Sequence, residues 1–507
     1  MALSSLLLLT IILATTVYVV LKVLSNRRRA ASLVKQLPNF QTLPSVPLLG
    51  SAHLFKDTSP DGILRTLVDC HHRYGKNLVL QELGNEFKLL ISEPRVIEQV
   101  MQAKTILKPK FYRFLQPWIG LSSVLLSGER WSTRRKLINP AFHYKMLDDF
   151  LHTMIAQADV LVQKLSQHAN GTDCDIYEPL RYCAMDIICE TAMGVQLQCQ
   201  TNPNVEFVQA TEEMIDLVHK RMFNPLVSND LVYSWTDAGR RETKLKHTIH
   251  RFTSSVIRER KKRLVDPPVR TRDEENRTCK MTFLDLLLET RFDGQPIPDK
   301  DIRGEVDTFM FAGHETVTSC MSFLLYFISR DETVQQRLYD EIVSIFGDSR
   351  DAHSVRPTYA SLQDLKYMEQ VIKETLRISP SVPMIGRTSA EDMVIDGVPI
   401  PPGTDIMLNI YVMQNDPDYY PEPDRFRPER FADDGAEQQK AFSYLPFSLG
   451  VRSCIGQRFA ILEMKTMLVK LLTRFRLGPC EEQNVLQLKA DLSLKPFQGA
   501  FIKILER

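Results

Sequence analysis

Hydrophobic positions along the chain repeat with two different periods. In Asn77-Leu-Val-Leu and Phe87-Lys-Leu-Leu-Ile the alternation predicts strands of a small sheet, following a helical spacing that begins near Asp61. Beyond Glu93 the chain reads mainly helical. The portion from Leu147 to Arg263 is helix-rich, punctuated at Asn170-Gly171, Asn202-Pro203 and Asn224-Pro225. Arg258-Glu-Arg-Lys-Lys-Arg263 reads as a solvated helix end entering the Asp266-Pro-Pro loop. Asp301 to Arg330 predicts a long apolar-rich helix, and a further helix opens at Ser361-Leu-Gln-Asp364 with a capping-box-like start and ends at Ser379-Pro380. The pattern is that of a mainly α protein with a small β portion.

The amino end differs in kind. Ala2 to Leu21 carries no charge and is rich in Leu, Ile and Val, about the length that crosses the hydrocarbon core of a bilayer. Lys22 and Arg27, Arg28 and Arg29 follow, which favours an uncleaved anchor with its carboxyl side in the cytosol; a signal peptide would carry its charges first. The prolines in Leu37-Pro38 and Leu43-Pro44-Ser-Val-Pro47 forbid regular helix and predict a stiff hinge. The expected organisation is an anchor over 1–24, a basic and proline-rich hinge over 25–50, and one catalytic domain over 51–507. On this topology Asn170-Gly-Thr and Asn276-Arg-Thr stay unglycosylated.

A net charge of +1 over 507 residues removes any argument for nucleic-acid binding. Nine cysteines, without paired Cys-x-x-Cys spacing, suit a reducing compartment without a disulfide framework or zinc site. One of them stands apart. Cys454 lies in Phe447-Ser-Leu-Gly450-Val-Arg452-Ser-Cys454-Ile-Gly456, ahead of a helix-like run from Gln457. Glycines two and four positions away permit a tight turn, while amides opening the helix and the Arg452 cation favour a thiolate, a soft ligand for iron. A lone cysteine is usually a small core residue; the fixed residues around this one reverse that reading.

The run Phe-x-x-Gly-x-Arg-x-Cys-x-Gly resembles the haem-binding loop of the cytochrome P-450 superfamily at every fixed position. The resemblance implies the cytochrome P-450 fold, with a long central helix over the haem, and Cys454 as the axial ligand of a non-covalent haem b. Phe447, Gly450 and Arg452 belong to that loop. Further motifs follow in family order. Trp131 and Arg135, one helical turn apart, match a pair that binds a haem propionate, and Arg387 in Ser381-Val-Pro-Met-Ile-Gly-Arg387 matches a second propionate clamp. Val382, Met384 and Ile385 are candidates for the pocket wall. Glu374 and Arg377, with Arg430, resemble the buried Glu-Arg-Arg network behind the haem, a structural element.

The long helix carries Ala312-Gly313-His-Glu315-Thr316. Gly313 costs roughly 1 kcal/mol of helix stability relative to Ala, and close passage over a haem face supplies a reason for it. Thr316 can hold oxygen or water where the helix opens, and Glu315 can deliver protons. Glu305-Val-Asp-Thr-Phe-Met-Phe-Ala312-Gly-His-Glu-Thr resembles the same helix in family-four members, especially those of insects. Many of these have a glutamate, which can be esterified to a haem methyl, where Ala312 stands. Alanine cannot form that ester. Val317 replaces their usual second hydroxyl residue.

The resemblance implies a monooxygenase that inserts one atom of O2 into an apolar substrate: a lipid, fatty acid, insect hormone or xenobiotic. Electrons come from NADPH through a cytochrome reductase, with cytochrome b5 as a further donor, at the cytosolic face of the endoplasmic reticulum. Arg134, Lys136, Arg458, Lys465 and Lys470 could form a basic face for that donor, or a plain solvated surface. Two other readings stay open: a thiolate-haem enzyme that rearranges peroxides without reductase, and a membrane haem-binding protein without turnover.

Overall fold

The computed structural model describes the chain apart from residues 1–9, 11–12, 19, 22–23, 26–27, 29–30, 34, 38, 47–48, 82–86, 104–106, 203–205, 225–226, 266–280, 293, 392, 433–441 and 482–484. Much of the expected anchor, Pro38 and Pro47 of the hinge, the Asp266-Pro-Pro loop and the Asn276 pattern lie outside the described residues. Among the described residues no helix is long and apolar enough to cross a membrane. Leu13, Val17, Tyr18, Val20 and Leu21 are exposed.

The main helices are α1 (Pro60–Tyr74), α2 (Pro94–Gln102), α3 (Gly128–Ile138), α4 (Tyr144–Leu165), α5 (Tyr177–Ile188), α6 (Glu206–Phe223), α7 (Asp237–Val265), α8 (Phe283–Glu289), α9 (Asp299–Ser329), α10 (Glu332–Phe346), α11 (Lys366–Ile378) and α12 (Gln457–Arg474). Strands are β1 (Gln41–Thr42), β2 (Asn77–Gln81), β3 (Phe87–Ile91), β4 (Asn170–Asp175), β5 (Met384–Thr388), β6 (Asp405–Asn409), β7 (Phe475–Pro479), β8 (Leu488–Ala490), β9 (Leu494–Pro496) and β10 (Phe501–Glu506). The larger sheet runs β1-β2-β3-β6-β5, with β1 parallel to β2, β3 parallel to β6 and the other neighbours antiparallel. A second sheet joins β7, β10 and β4; β8 and β9 form a hairpin.

The mainly α fold with a small β portion is therefore present, and both predicted strands pair with each other in register from Asn77 opposite Ile91. The core gathers around α9, which is apolar on most sides because α5, α7 and α11 surround it. Leu161, Leu180, Val306, Met310, Leu324, Val371 and Leu468 are all fully buried within it.

One boundary differs from the sequence reading. The helix expected to open at Ser361 is two helices: a short one, Tyr359–Asp364, capped by Thr358 with Ser361 completing the capping box, and α11 beyond Leu365. The α11 start is capped from elsewhere. Glu341 of α10 accepts hydrogen bonds from the backbone N–H of Tyr367 (2.7 Å) and Met368 (2.9 Å), a partner local spacing cannot reveal. The basic run Arg258–Arg263 does end α7, but Arg260 is buried in a two-pronged pair with Asp285 at 2.6 Å.

Candidate active site

An apolar cavity lies between α9 and the segment leading into α12. Its walls include Phe142, Ile188, Phe309, Val317, Val382 and Ile385, with Ala312, Gly313 and Thr316 along α9 and Phe447, Arg452, Cys454 and Gly456 opposite. Met384, expected on the wall, does not line it; its side chain packs with the cluster around Leu43 and Met407. Neighbours on β5 alternate faces, so Ile385 and Met384 cannot both face the cavity.

The cysteine loop is short and closed. The Cys454 N–H donates to the Phe447 carbonyl at 2.8 Å, and left-handed backbone occurs at Ser448 (φ 58°) and Gly450 (φ 72°). Gly456 has an ordinary φ of −84°, so its place is not set by turn geometry. Cys454 is exposed toward the cavity while the other described free cysteines are buried. Surrounding protein pushes its thiol up; the Gly456 N–H, the Arg135 charge and the Gln457 N–H pull the other way.

Beside the cavity stands a surplus of positive charge, of which Arg452 lines the wall and the others neighbour it or Cys454. Arg135, Arg387 and Arg452 are joined by Lys108, which the sequence reading had not selected. No carboxylate among the described residues pairs with any of them. Arg387 donates to the Gly386 carbonyl (2.9 Å) and to Ser448 Oγ (3.3 Å), and among the described residues neither its Nε nor that of Arg452 has a hydrogen-bond partner. Arg452 lies 3.9 Å from the ring of Trp131. Burial, then the charge of Arg387 and of Arg135, lowers Arg452 to about 9; burial, Arg387 and Arg452 lower Lys108.

Clustered buried cations without counter-charge are costly unless a guest supplies anions. An apolar slot, one soft sulfur and four cations beside them fit a flat group that carries carboxylates and a metal taking thiolate, and haem is such a group. Behind the loop the Glu-Arg-Arg triad is fully enclosed. Arg377 donates to Glu374 at 2.8 and 3.0 Å, to the Gln414 carbonyl at 2.9 Å and to the Pro423 carbonyl at 2.6 Å; Arg430 Nε lies 3.3 Å from Glu374. Gln414 extends the network to the loop, its amide donating to the Leu376 and Arg377 carbonyls and its oxygen accepting from the Leu445 N–H at 2.8 Å.

The family model for Cytochrome P450 matches residues 40–501 of this sequence. The chain belongs to the cytochrome P450 family. It is 40% identical to cytochrome P450 4d2 of Drosophila melanogaster over 86% of this chain and 87% of that protein. It is 36% identical to human cytochrome P450 4V2, over 96% and 94%, and 31% identical to Drosophila cytochrome P450 4c3, over 98% and 95%. These are family-four members, as the α9 motif implied. The protein is a cytochrome P450 monooxygenase whose cofactor is a thiolate-ligated haem.

In this cytochrome P450 the α9 residues divide between two sides. Thr316 lines the cavity, its Oγ1 donating to the Ala312 carbonyl at 2.9 Å, and Ser381 Oγ donates to the Thr316 carbonyl at 2.8 Å. Glu315 does not line it. Its carboxylate is buried against Lys495, and Ser493 Oγ donates to it at 2.8 Å. Burial alone would raise its pKa, but Lys495, then His314 and Ser493, hold it below the usual carboxylate range. Gly313 borders the cavity, yet a Cβ there would come 2.6 Å from Ile188, so helix packing against α5 also demands a glycine.

The expected basic face is smaller than the sequence suggested. Lys465 is buried with its ammonium on the Leu362 carbonyl (2.9 Å) and Glu369 (3.2 Å); Lys470 is buried on the Ala352 and Val355 carbonyls and on Asp159. Arg134 pairs with Asp301 at 3.1 Å. Only Lys136 and Arg458 of that set are exposed.

Proposed function

We propose that this cytochrome P450 inserts one atom of O2 into an apolar, lipid-like substrate, drawing electrons from NADPH through a membrane reductase, with cytochrome b5 as an auxiliary donor. The observation that carries the reading is an apolar cavity that Cys454 and Thr316 both line, with walls of Phe, Ile and Val. Haem held by a thiolate supplies oxygen activation and O–O scission. The chain supplies the rest.

Cys454 provides the sulfur. Trp131, Arg135, Arg387 and Arg452 are proposed to hold the haem carboxylates, with Lys108 beside them, and Phe447 and Gly450 shape the loop. Thr316 keeps a proton on Oγ1, given to the Ala312 carbonyl at rest and available to a polar guest when that bond opens. Glu315 is proposed to pass protons toward Thr316. Because Lys495 and Ser493 hold its carboxylate on the hairpin side, that role requires it to exchange partners during turnover.

Residues 1–24 are proposed as the anchor, 25–50 as the hinge and 51–507 as the catalytic domain on the cytosolic face of the endoplasmic reticulum. Reductase-reconstituted protein, given 18O2 and panels of lipids and terpenoids, should yield products carrying one labelled oxygen, with strict dependence on NADPH. Turnover of a peroxide without NADPH or O2 would favour rearrangement chemistry instead, and a haem spectrum without any product would favour a non-enzymatic role.

A further inference from the structure

Glu305 opens the α9 signature and has no part in the chemistry above. It is nonetheless fully buried, and both carboxylate oxygens are used by one residue: Oε1 accepts from the Ser123 N–H and Oε2 from Ser123 Oγ, each at 2.8 Å. The same serine turns its carbonyl the other way. Arg452 Nη1 donates to the Ser123 carbonyl at 3.4 Å, and Arg452 Nη2 to the Leu126 carbonyl at 2.6 Å. The turn between those carbonyls closes on itself, the N–H groups of Leu125 and Leu126 both donating to the Ser122 carbonyl at 2.9 Å.

We propose that Glu305 is a positioning residue for Arg452, pinning the turn 122–126 to α9 so that two backbone carbonyls hold the guanidinium in the orientation that grips a haem carboxylate. Three separated parts of the chain meet in this relay: α9, the turn and the cysteine loop. Gly304 makes the approach possible, since a Cβ there would lie 2.7 Å from the Ile119 carbonyl oxygen. Arg134 of α3 provides the compensating charge at 3.7 Å and is itself tied to Asp301. Trp131, on the same helix as Arg134, forms the floor under Arg452. A carboxylate suits the position because one side chain there must accept from two donors of one residue while facing a cation.

The inference rests on Arg452 gripping the haem, and the experiment separates the two claims. Holoprotein variants Glu305→Ala, Arg452→Ala and the double variant are mixed with excess apomyoglobin, and haem transfer is followed in the Soret band. Each single variant should lose haem about tenfold faster than the parent, the scale of one charged hydrogen bond. The double variant should be no faster than Arg452→Ala alone, and Glu305→Gln, which keeps the shape and one acceptor but loses the charge and the second acceptor, should lie between the parent and Glu305→Ala. If Arg452→Ala transfers haem at the parent rate, the grip itself is wrong. If Arg452→Ala is fast but the Glu305→Ala effect multiplies with it, Glu305 acts elsewhere and the proposal falls. Should Glu305→Ala not fold, the cycle is read with Ser123→Ala, which keeps the backbone and removes one donor; multiplication there overturns the proposal equally.

Discussion

Lys495, on β9, pairs with Glu315, on α9, in a place where neither side chain is more than 5% exposed. Asp491 lies 3.1 Å from the same ammonium and Ser493 completes the set, so the β8–β9 hairpin is fastened to the central helix by charge. Replacing Lys495 by Met leaves the Glu315 carboxylate buried without its cation, which should cost about 3 to 5 kcal/mol in denaturant unfolding. The double variant Lys495→Met, Glu315→Gln should recover most of that loss. Equal instability in both would mean that packing, not charge, fastens the hairpin.

The Glu374–Arg377–Arg430 network should behave as structure rather than catalyst. Arg377→Ala removes the bidentate partner of Glu374, leaving it to Arg430, and frees the Gln414 and Pro423 carbonyls, so the purified polypeptide should carry little haem. Haem per chain, from the pyridine haemochrome, measures this; full haem content with lowered turnover would contradict it.

Thr316→Ala removes the only hydroxyl that α9 offers to the described cavity wall. NADPH consumption should continue while hydrogen peroxide rises and product falls. A variant that remains tightly coupled would remove Thr316 from its proposed role.

Ala312 lines the cavity, and its methyl group offers no carboxylate for an ester to a haem methyl. Denaturing extraction should therefore release the haem from the polypeptide. Haem that stays with the chain on reversed-phase separation would require another covalent link.

Glu305 should leave a signature in stability against pH. Burial pushes its carboxyl up to about 7 from 4.5, against the pull of Ser123 and Arg134, with Asp301 the like charge nearby. Between those values the folded chain binds the proton more tightly than the unfolded chain, so this group stabilises the native state most below pH 4.5 and its contribution falls as pH rises to 7. The stability of the parent relative to Glu305→Gln should decline across that window. A flat difference would place the Glu305 carboxyl at its ordinary value.

The cysteine loop, the Glu-x-x-Arg pair and the helical character of the chain were legible because each is written in local spacing. Phe447, Gly450, Arg452 and Cys454 sit within a single short loop, and Glu374 and Arg377 within one helical turn, so their order along the chain is already their arrangement in space. Lys108 carries no such signal: one lysine beside a proline has nothing local to mark it, and only the approach of Arg387 and Arg452 makes it part of the cluster.

Lys465 and Lys470 mark the limit most clearly. On α12 alone they read as solvated cations, because a charged residue on a helix is usually at the surface. Their carbonyl partners, Leu362, Ala352 and Val355, stand more than 100 residues earlier. The amino-acid order by itself determined the family and the helical architecture, through short-range patterns that survive without a fold. Which charges face water, which carboxylate meets Lys495 and which turn Glu305 holds were decided only when distant segments packed, since burial and pairing of a charge depend on what closes over it.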